Sequence, residues 1–450
     1  MKIGFEQFRC FGERQSADIK PLTLLVGENS TGKSTFMSGL RFILDFTSGR
    51  VDSSFNKDPF FLGGYRDIAH YRGGKYGRAP SFSISISETF AITEKRNTEP
   101  ELFERARQRS QKTIELKLTF SDEDGEPTIT NYAIRIGKKS ISIGVENEEI
   151  SAIVQDDTDG FEHSLGKNVS RRIPLMRGDY LALDYMLREL SFFRDKPNKI
   201  SDSDAKAANI VEEIWQLFRK LTIRGRSEVL ALAPVRTRPQ RNYDPTQLDQ
   251  SSEGDQLIGK LGRLARTNKK SWSKLKDQLE AFGQETGLFE SISIRKLGAA
   301  ESNPFQIYVK KSGREANIID VGYGVSQILP LFIILSEVRH RTTMLVQQPE
   351  VHLHPSAQAA LGTVFSKACA SGSGPNLIVE THSDFIVDRV RNAVRKGDLR
   401  SKDVQILYFE KEKYNSSIST ISIGEDGNLI NAPDSYRDFF LRESFSLMGF

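Results

Sequence analysis

Apolar residues alternate with polar ones at Ile3, Phe5 and Phe8, and a continuous apolar run follows over residues 22–26. Both patterns predict strands. A glycine-bearing loop comes next, and then Phe36, Met37, Leu40, Ile43 and Leu44 recur on one helical face. Residues 50–80 are rich in glycine and aromatic side chains and read as loop. Strict alternation resumes at Phe82, Ile84 and Ile86, and again at Ile114, Leu116, Leu118 and Phe120. Asp124-Gly125 separates that run from Ile134 and Ile136, which is a hairpin signal. Residues 80–150 therefore predict a mainly antiparallel sheet, interrupted by a charged helical segment near 97–112.

Residues 151–170 show little apolar periodicity and read as a loop. Helices are predicted over about 175–193 and 204–221, the second with Asp202 or Ser203 as its N-cap. Residues 234–256 contain prolines and read as an ordered loop, followed by a basic helix over about 256–283. From residue 290, short apolar strands (307–309, 343–346, 377–379, 404–409) alternate with helical stretches (324–338, 356–370, 383–396). That alternation predicts a parallel α/β sheet.

With 450 residues the chain has room for about three domain-sized units. Its 38% hydrophobic and 27% charged residues exclude a wholly disordered chain. The longest apolar stretch, residues 328–335, contains Pro330 and falls short of the roughly 20 residues a membrane span needs. No signal-peptide core is present. Two cysteines, Cys10 and Cys369, build no disulfide framework, so a reducing cytoplasm is expected. No sustained heptads occur.

Four segments carry chemistry. Gly27-Glu28-Asn29-Ser30-Thr31-Gly32-Lys33-Ser34 fits G-x-x-x-x-G-K-[ST] and lies between a buried strand and a helix. Its backbone N–H groups at the helix start are aimed at phosphate oxygens. Lys33 is expected on the β- and γ-phosphates and the Ser34 hydroxyl on Mg²⁺. The nucleotide contacts are thus expected from Asn29, Ser30, Thr31, Gly32, Lys33, Ser34 and Thr35. The second segment runs from Thr343 to Pro355 and places Gln347, Gln348, Pro349 and Glu350 at a strand's carboxyl end. That position faces the site in an α/β sheet, or else forms a plain surface turn. His352 and His354 lie on one face if this stretch is extended, but the pair falls short of the four ligands zinc takes. In the third, Gly322, Gly324 and Ser326 open an apolar helix, as a second anion loop or as an ordinary cap by Ser326. In the fourth, His382 follows the strand 377–379 in Glu380-Thr381-His382-Ser383, facing the crevice or satisfied in its loop.

In this order the four segments resemble the ATP-binding-cassette head of the SMC-like ATPases. That group includes RecF, the overcoming-lysogenization-defect proteins and the "AAA family ATPases" of bacterial anti-phage defence systems such as Septu and PARIS. The resemblance covers roughly residues 1–90 and 225–450 and extends to the stretches 61–70 and 233–243. It implies an α/β head, with a P-loop parallel sheet plus an antiparallel β subdomain, an inserted α/β region and no long coiled coil. The N-terminal lobe would span 1–90 with Walker A, the antiparallel and helical insertion 91–225, and the C-terminal lobe 226–450.

By this resemblance Gly324 and Ser326 belong to the signature loop. Gln347 takes the metal-ligand place of Walker B, Gln348 the place of the water-activating residue, and His382 that of the switch histidine; the D-loop lies near His354. The cofactors implied are ATP and Mg²⁺, in a homodimer or higher oligomer joined through the heads, with Ser326 of one copy meeting the γ-phosphate held by Lys33 of the other. Relatives commonly carry acids where this chain has Gln347 and Gln348. A missing general base costs about 10²–10⁴-fold, so slow turnover is expected unless Glu350 substitutes. The alternatives are an ATP-locked scaffold and a RecF-like DNA-repair clamp.

Topoisomerase-primase nucleases place a carboxylate-rich domain after such a head, and the chain ends 68 residues beyond His382. A separate effector, nuclease or toxin, is therefore expected to do any cutting. The net charge of +4 adds little. Its distribution adds more: Lys260, Arg263, Arg266, Lys269, Lys270, Lys274 and Lys276 surround Trp272 with no acid among them. Such a stripe suits DNA phosphates, or forms a solvated helix face. Arg236, Arg238 and Arg241 form a second basic group that could line the nucleotide cleft.

Overall fold

The computed structural model describes residues 1–49, 53–74, 77–93, 109–146, 149–165, 180–191, 201–225, 228–234, 238–246, 255–300, 302–338, 342–370, 372 and 374–436. Strands β1 (Lys2–Glu6), β2 (Gln15–Asp18) and β3 (Leu22–Gly27) precede helix α1 (Lys33–Thr47). A short ribbon, β4 (Asn56–Lys57) and β5 (Phe60–Phe61), and one turn of helix, α2 (Tyr65–Ile68), occupy the stretch expected to be loop. Then come β6 (Ser81–Thr93), β7 (Arg109–Glu123), β8 (Glu126–Ile136), β9 (Lys139–Glu146), β10 (Glu149–Asp156) and β11 (Phe161–Leu165). Helices α3 (Tyr180–Ser191) and α4 (Asp202–Gly225) follow, then β12 (Val229–Leu232), α5 (Asp255–Thr267) and α6 (Lys269–Thr286). The remainder runs β13 (Ser291–Lys296), β14 (Phe305–Lys311), β15 (Arg314–Asn317), α7 (Tyr323–Glu337), β16 (Thr343–Gln347), α8 (Pro355–Cys369), β17 (Asn376–Glu380), α9 (Asp384–Arg395), β18 (Val404–Glu412), β19 (Asn415–Ile423) and β20 (Leu429–Ile430).

Two large sheets organise these elements. A seven-stranded sheet has the order β12-β16-β17-β3-β18-β19-β20 and is parallel from β12 to β18. An eight-stranded sheet, β11-β10-β9-β8-β7-β6-β1-β2, is antiparallel throughout. This is the expected mixed α/β head, a P-loop parallel sheet beside an antiparallel subdomain. The longest helix among the described residues is α4, with 24 residues, so no long coiled coil is present there.

The parallel strands read as continuous apolar runs because both of their faces are buried. Leu25, Leu345, Ile378 and Leu407 face the core shared with α1, α4 and the antiparallel sheet. Leu24, Val346, Val379 and Ile406 face the core built on α7, α8 and α9. In the first core Phe5 stacks on Phe8 and Phe11 and meets Phe36 of α1 edge-on.

Several expectations are corrected. Residues 149–165 form the hairpin β10–β11, because Ile150, Ala152 and Val154 alternate on a buried face despite polar neighbours. The cap of α4 is Ser201, whose Oγ accepts the Asp204 N–H at 3.1 Å. The basic stretch is two helices: Asn268 interrupts it and caps α6 by accepting the Ser271 N–H. Strands β13–β15 make a separate antiparallel sheet and do not extend the parallel one. The Asp124-Gly125 turn matches expectation, with both residues at positive φ. Of the helical segment predicted near 97–112, residues 97–108 lie outside the described residues, and 109–112 belong to strand β7 and not to a helix.

Replacing Phe5 with Ala removes a ring that is 1% exposed and touches three others. The expected cost is about 3–5 kcal/mol, measured by chemical denaturation.

Candidate functional site: a phosphate-loop cleft

Strand β3 ends at Gly27, whose φ of 148° is closed to other residues, and a Cβ there would lie 2.3 Å from the Phe409 carbonyl oxygen. The chain then loops over Glu28–Gly32. Thr31 Oγ1 donates to the Glu28 carbonyl at 2.8 Å and fixes the loop's shape. Helix α1 begins at Lys33 with neither a side-chain cap nor an acidic residue in its first turn. Its N–H groups and positive dipole end are thus left for an anion. Lys33 is buried, and its Nζ donates to the carbonyls of Gly27 (2.9 Å) and Glu28 (2.6 Å). Burial pushes its ammonium pKa down, while Glu380, Glu350 and Glu28 pull it up.

A cleft of about 730 Å³ opens over this loop. Of the expected contacts, Asn29, Ser30, Gly32, Lys33, Ser34 and Thr35 line it, together with Gln348. Thr31 is buried beneath the loop as a brace. Sequence reasoning missed Arg9, Arg78, Lys411, Tyr71, Tyr414 and Glu380, which line the same cleft. Tyr71 and Tyr414 meet edge-on at 5.3 Å, and the Arg78 guanidinium lies 5.2 Å from the Tyr71 ring centre. Tyr71 and Arg78 come from the glycine-rich loop, Tyr414 from the β18–β19 turn, Lys411 from β18 and Arg9 from the segment after β1, and only tertiary structure brings them together. Glu380 did carry a signal, as the first polar residue after a buried strand.

Glu380 ends β17 beside Gln347, its register partner on β16. Ser34 Oγ lies 2.9 and 3.2 Å from its two carboxylate oxygens and donates to them. Gln347 is not among the described residues lining the cleft. A hydroxyl and a carboxylate side by side, under a lysine and a helix N-terminus, fit the hard oxygen donors that Mg²⁺ takes.

A residue before proline favours an extended backbone, which would point Gln348 the same way as Glu350. Instead its φ is 40°, since its N–H donates to the Glu380 carbonyl (2.8 Å) while its own carbonyl accepts the Val351 N–H (3.3 Å). That turn takes Glu350 inward, where its Oε1 accepts the His382 N–H at 2.7 Å. Burial raises the Glu350 carboxyl pKa and the Glu380 charge adds to the rise, against the hydrogen bonds that lower it. Desolvation and the Lys33 charge both hold the His382 imidazole below its ordinary pKa, so it is neutral at neutral pH.

Gly324 and Ser326 are not among the described residues lining this cleft. Ser326 is buried and donates to the Tyr323 carbonyl (2.8 Å), so it is not the cap of α7; the N-cap position belongs to Gly322. His352 has a φ of 64°, which breaks the extended segment that would pair it with His354, and His354 instead caps α8. No metal-holding group of three or more His, Cys, Asp or Glu occurs among the described residues. Arg241 pairs with Asp320 through two contacts and not with the cleft, and Arg236 lies outside the described residues. Trp272 packs partly buried against the second core, and Arg266 donates to the carbonyls of Ala300 and Asn303. No helix among the described residues is long and apolar enough to cross a membrane.

A family model described as "AAA domain, putative AbiEii toxin, Type IV TA system" matches residues 22–388. The chain belongs to this family. The AAA-domain match joins both halves of the cleft, the phosphate loop and the ends of β16 and β17, in one ATP-binding ATPase unit. Among solved structures the chain is similar to the SMC head domain from Thermotoga maritima, at 10% identity over 93% of this chain and 97% of that one, with a TM-score of 0.36. It is also similar to the Smc head domain with an extended coiled coil, bound to the C-terminal domain of ScpA, from Pyrococcus furiosus. That match has 9% identity, covers 99% of this chain and 98% of the other, and has a TM-score of 0.38. No curated protein matches the sequence.

The raised Glu350 carboxyl gives a pH test. The fold disfavours its ionised form, so the cost is fully present above the folded pKa. It fades as pH falls and is gone below the ordinary value of 4.5, where both states are protonated. Glu350→Gln should therefore melt higher than the parent at about pH 7, with the difference closing towards about pH 4. Thermal unfolding across pH checks this.

Proposed function

We propose that this AAA-domain ATPase binds and slowly hydrolyses MgATP, and that two copies close head to head over their nucleotides. The observation that carries this reading is the cleft itself. An uncapped helix start, Lys33 resting on loop carbonyls and the Ser34–Glu380 pair converge on one space sized for a nucleotide. On binding, Lys33 would leave the Gly27 and Glu28 carbonyls for the β- and γ-phosphates. The aromatic pair Tyr71 and Tyr414, with Arg9, Arg78 and Lys411, would hold the rest of the molecule. When bound, Mg²⁺ neutralises phosphate charge.

Gln348 holds the attacking water, Glu350 sets the His382 loop, and His382 meets the γ-phosphate as a neutral donor. Signature residues Gly324 and Ser326 act on the partner copy's nucleotide, for which the buried Ser326 hydroxyl has to leave the Tyr323 carbonyl. The proposed division is an N-terminal lobe to residue 90, an insertion from 91 to 225, and a C-terminal lobe from 226. In the cell the protein would serve as the cytoplasmic sensor, motor or scaffold subunit of an anti-phage defence complex of the Septu or PARIS kind, beside a separate nuclease or toxin.

The composite-site reading is tested by mixing. Lys33→Ala should abolish ATP binding, and Ser326→Arg alone should lose turnover. A mixed dimer of the two keeps one intact composite site, so phosphate release should partly recover. Full activity of Ser326→Arg by itself would rule out the trans arrangement.

The ATP-locked scaffold is favoured by one observation: Gln348 lines the cleft, while Glu350 is held on the His382 backbone. Gln348 itself has no carboxylate to take the water's proton. Gln348→Glu should raise steady-state phosphate release by about 10²-fold or more. An unchanged rate would place water activation elsewhere. Turnover that rises with duplex DNA would favour the repair-clamp alternative, with α5 and α6 as the basic surface.

A further inference from the structure

Gln347 and Glu380 are paired in register at the carboxyl ends of neighbouring parallel strands. One is an amide where the resemblance implies a metal-binding acid; the other is an acid that resemblance does not assign. Glu380 is 3% exposed, yet it lines the cleft and receives the Ser34 hydroxyl. No ion pair to it is present among the described residues, and its charge acts on the Lys33 ammonium. A buried carboxylate held by a neutral hydroxyl is costly unless it is paired or ligates a metal. Mg²⁺ is bound in nucleotide sites by one or two carboxylates with phosphate oxygens and waters, so a single well-placed acid beside Ser34 suffices.

We propose that Glu380, on β17, supplies with Ser34 the protein oxygens for the Mg²⁺ of MgATP, replacing the β16 position occupied by Gln347. The acid has moved one strand across the sheet while its height along the strands is kept by the register. Gln347 can offer only a neutral amide oxygen, which a hard dication takes less readily than carboxylate. The Gln348 N–H bond to the Glu380 carbonyl holds this strand end in place.

This inference rests on the nucleotide-site reading, and the experiment separates the two. ATP affinity of the full chain is measured by calorimetry in EDTA and in Mg²⁺. The parent should bind ATP in EDTA through the loop and Lys33, and more tightly with Mg²⁺. Glu380→Gln keeps the shape and an acceptor for Ser34. It should preserve ATP binding in EDTA, tightened if anything by the loss of a negative charge beside the phosphates, and cut the magnesium-dependent gain by at least the roughly 10-fold that loss of even an outer-shell partner costs. Restoring an acid across the register pair, Gln347→Glu with Glu380→Gln, should return most of the gain. Glu380→Asp, which keeps the charge, should retain part of it and shows that the position tolerates change. A full magnesium-dependent gain in Glu380→Gln overturns the proposal while leaving the nucleotide site intact. A parent that binds no ATP even in EDTA overturns both.

Discussion

The site depends on one pairing that is remote in sequence: β3, near the N-terminus, lies between β17 and β18, near the C-terminus. Leu22–Leu25 register with Leu377–Glu380 on one side, and Leu22–Gly27 with Val404–Phe409 on the other. More than 350 residues separate these partners, so nothing in the local chain holds the phosphate loop next to Glu380. The parallel ladder and the two apolar cores on its faces do so. Without them the loop would be a glycine turn with nothing opposite. Closure of this long loop has an entropic cost that grows only slowly with length. The long intervening stretch is therefore compatible with the pairing, and its strands β6–β11 fold back onto β1 and β2 in the antiparallel sheet.

Charge is the second constraint. In ordinary phosphate-loop sites, strand-end acids answer a lysine and a dication. Here two of the expected acids are amides, and the balance falls on Glu380 and Glu350. Both are buried and both raise the Lys33 pKa, yet hydrogen bonding separates their tasks: Glu380 faces Ser34 and Glu350 faces the His382 backbone. The Glu380 charge nearby adds to the cost of ionising Glu350.

The phosphate loop was legible in the sequence because its chemistry is local. Gly27, Lys33 and Ser34 must stand at fixed offsets between a strand and a helix, and the structure puts them there. The parallel strands were legible for the same kind of reason, since double burial leaves uninterrupted apolar runs. Three features were not legible, each because a non-local contact overrides a local preference. Gln348 precedes a proline and should be extended, but its hydrogen bond to β17 turns it. The strand pair β10–β11 contains so many polar residues that its alternation was hidden until one face was seen to be buried. Arg9, Tyr71 and Lys411 carry no motif at all and gain meaning only where the glycine-rich loop meets the β18–β19 hairpin. The basic stretch was misread in the other direction, as one helix. Its spacing looked continuous, yet Asn268 divides it and Trp272 packs partly into the core.

The two strand ends act as a single mechanical unit. The Gln348 N–H bonds the Glu380 carbonyl, and the His382 N–H bonds the Glu350 carboxylate, so each turn supplies a donor to the other. The left-handed Gln348 is a strained conformation, and it persists because both bonds constrain it. The Glu380 carbonyl therefore holds the turn that carries Gln348, and the Glu350 carboxylate from that same turn holds the backbone of His382. His382, whose imidazole desolvation and the Lys33 charge keep below its ordinary pKa, thus owes its place beside the phosphate loop to the end of β16 as much as to its own strand.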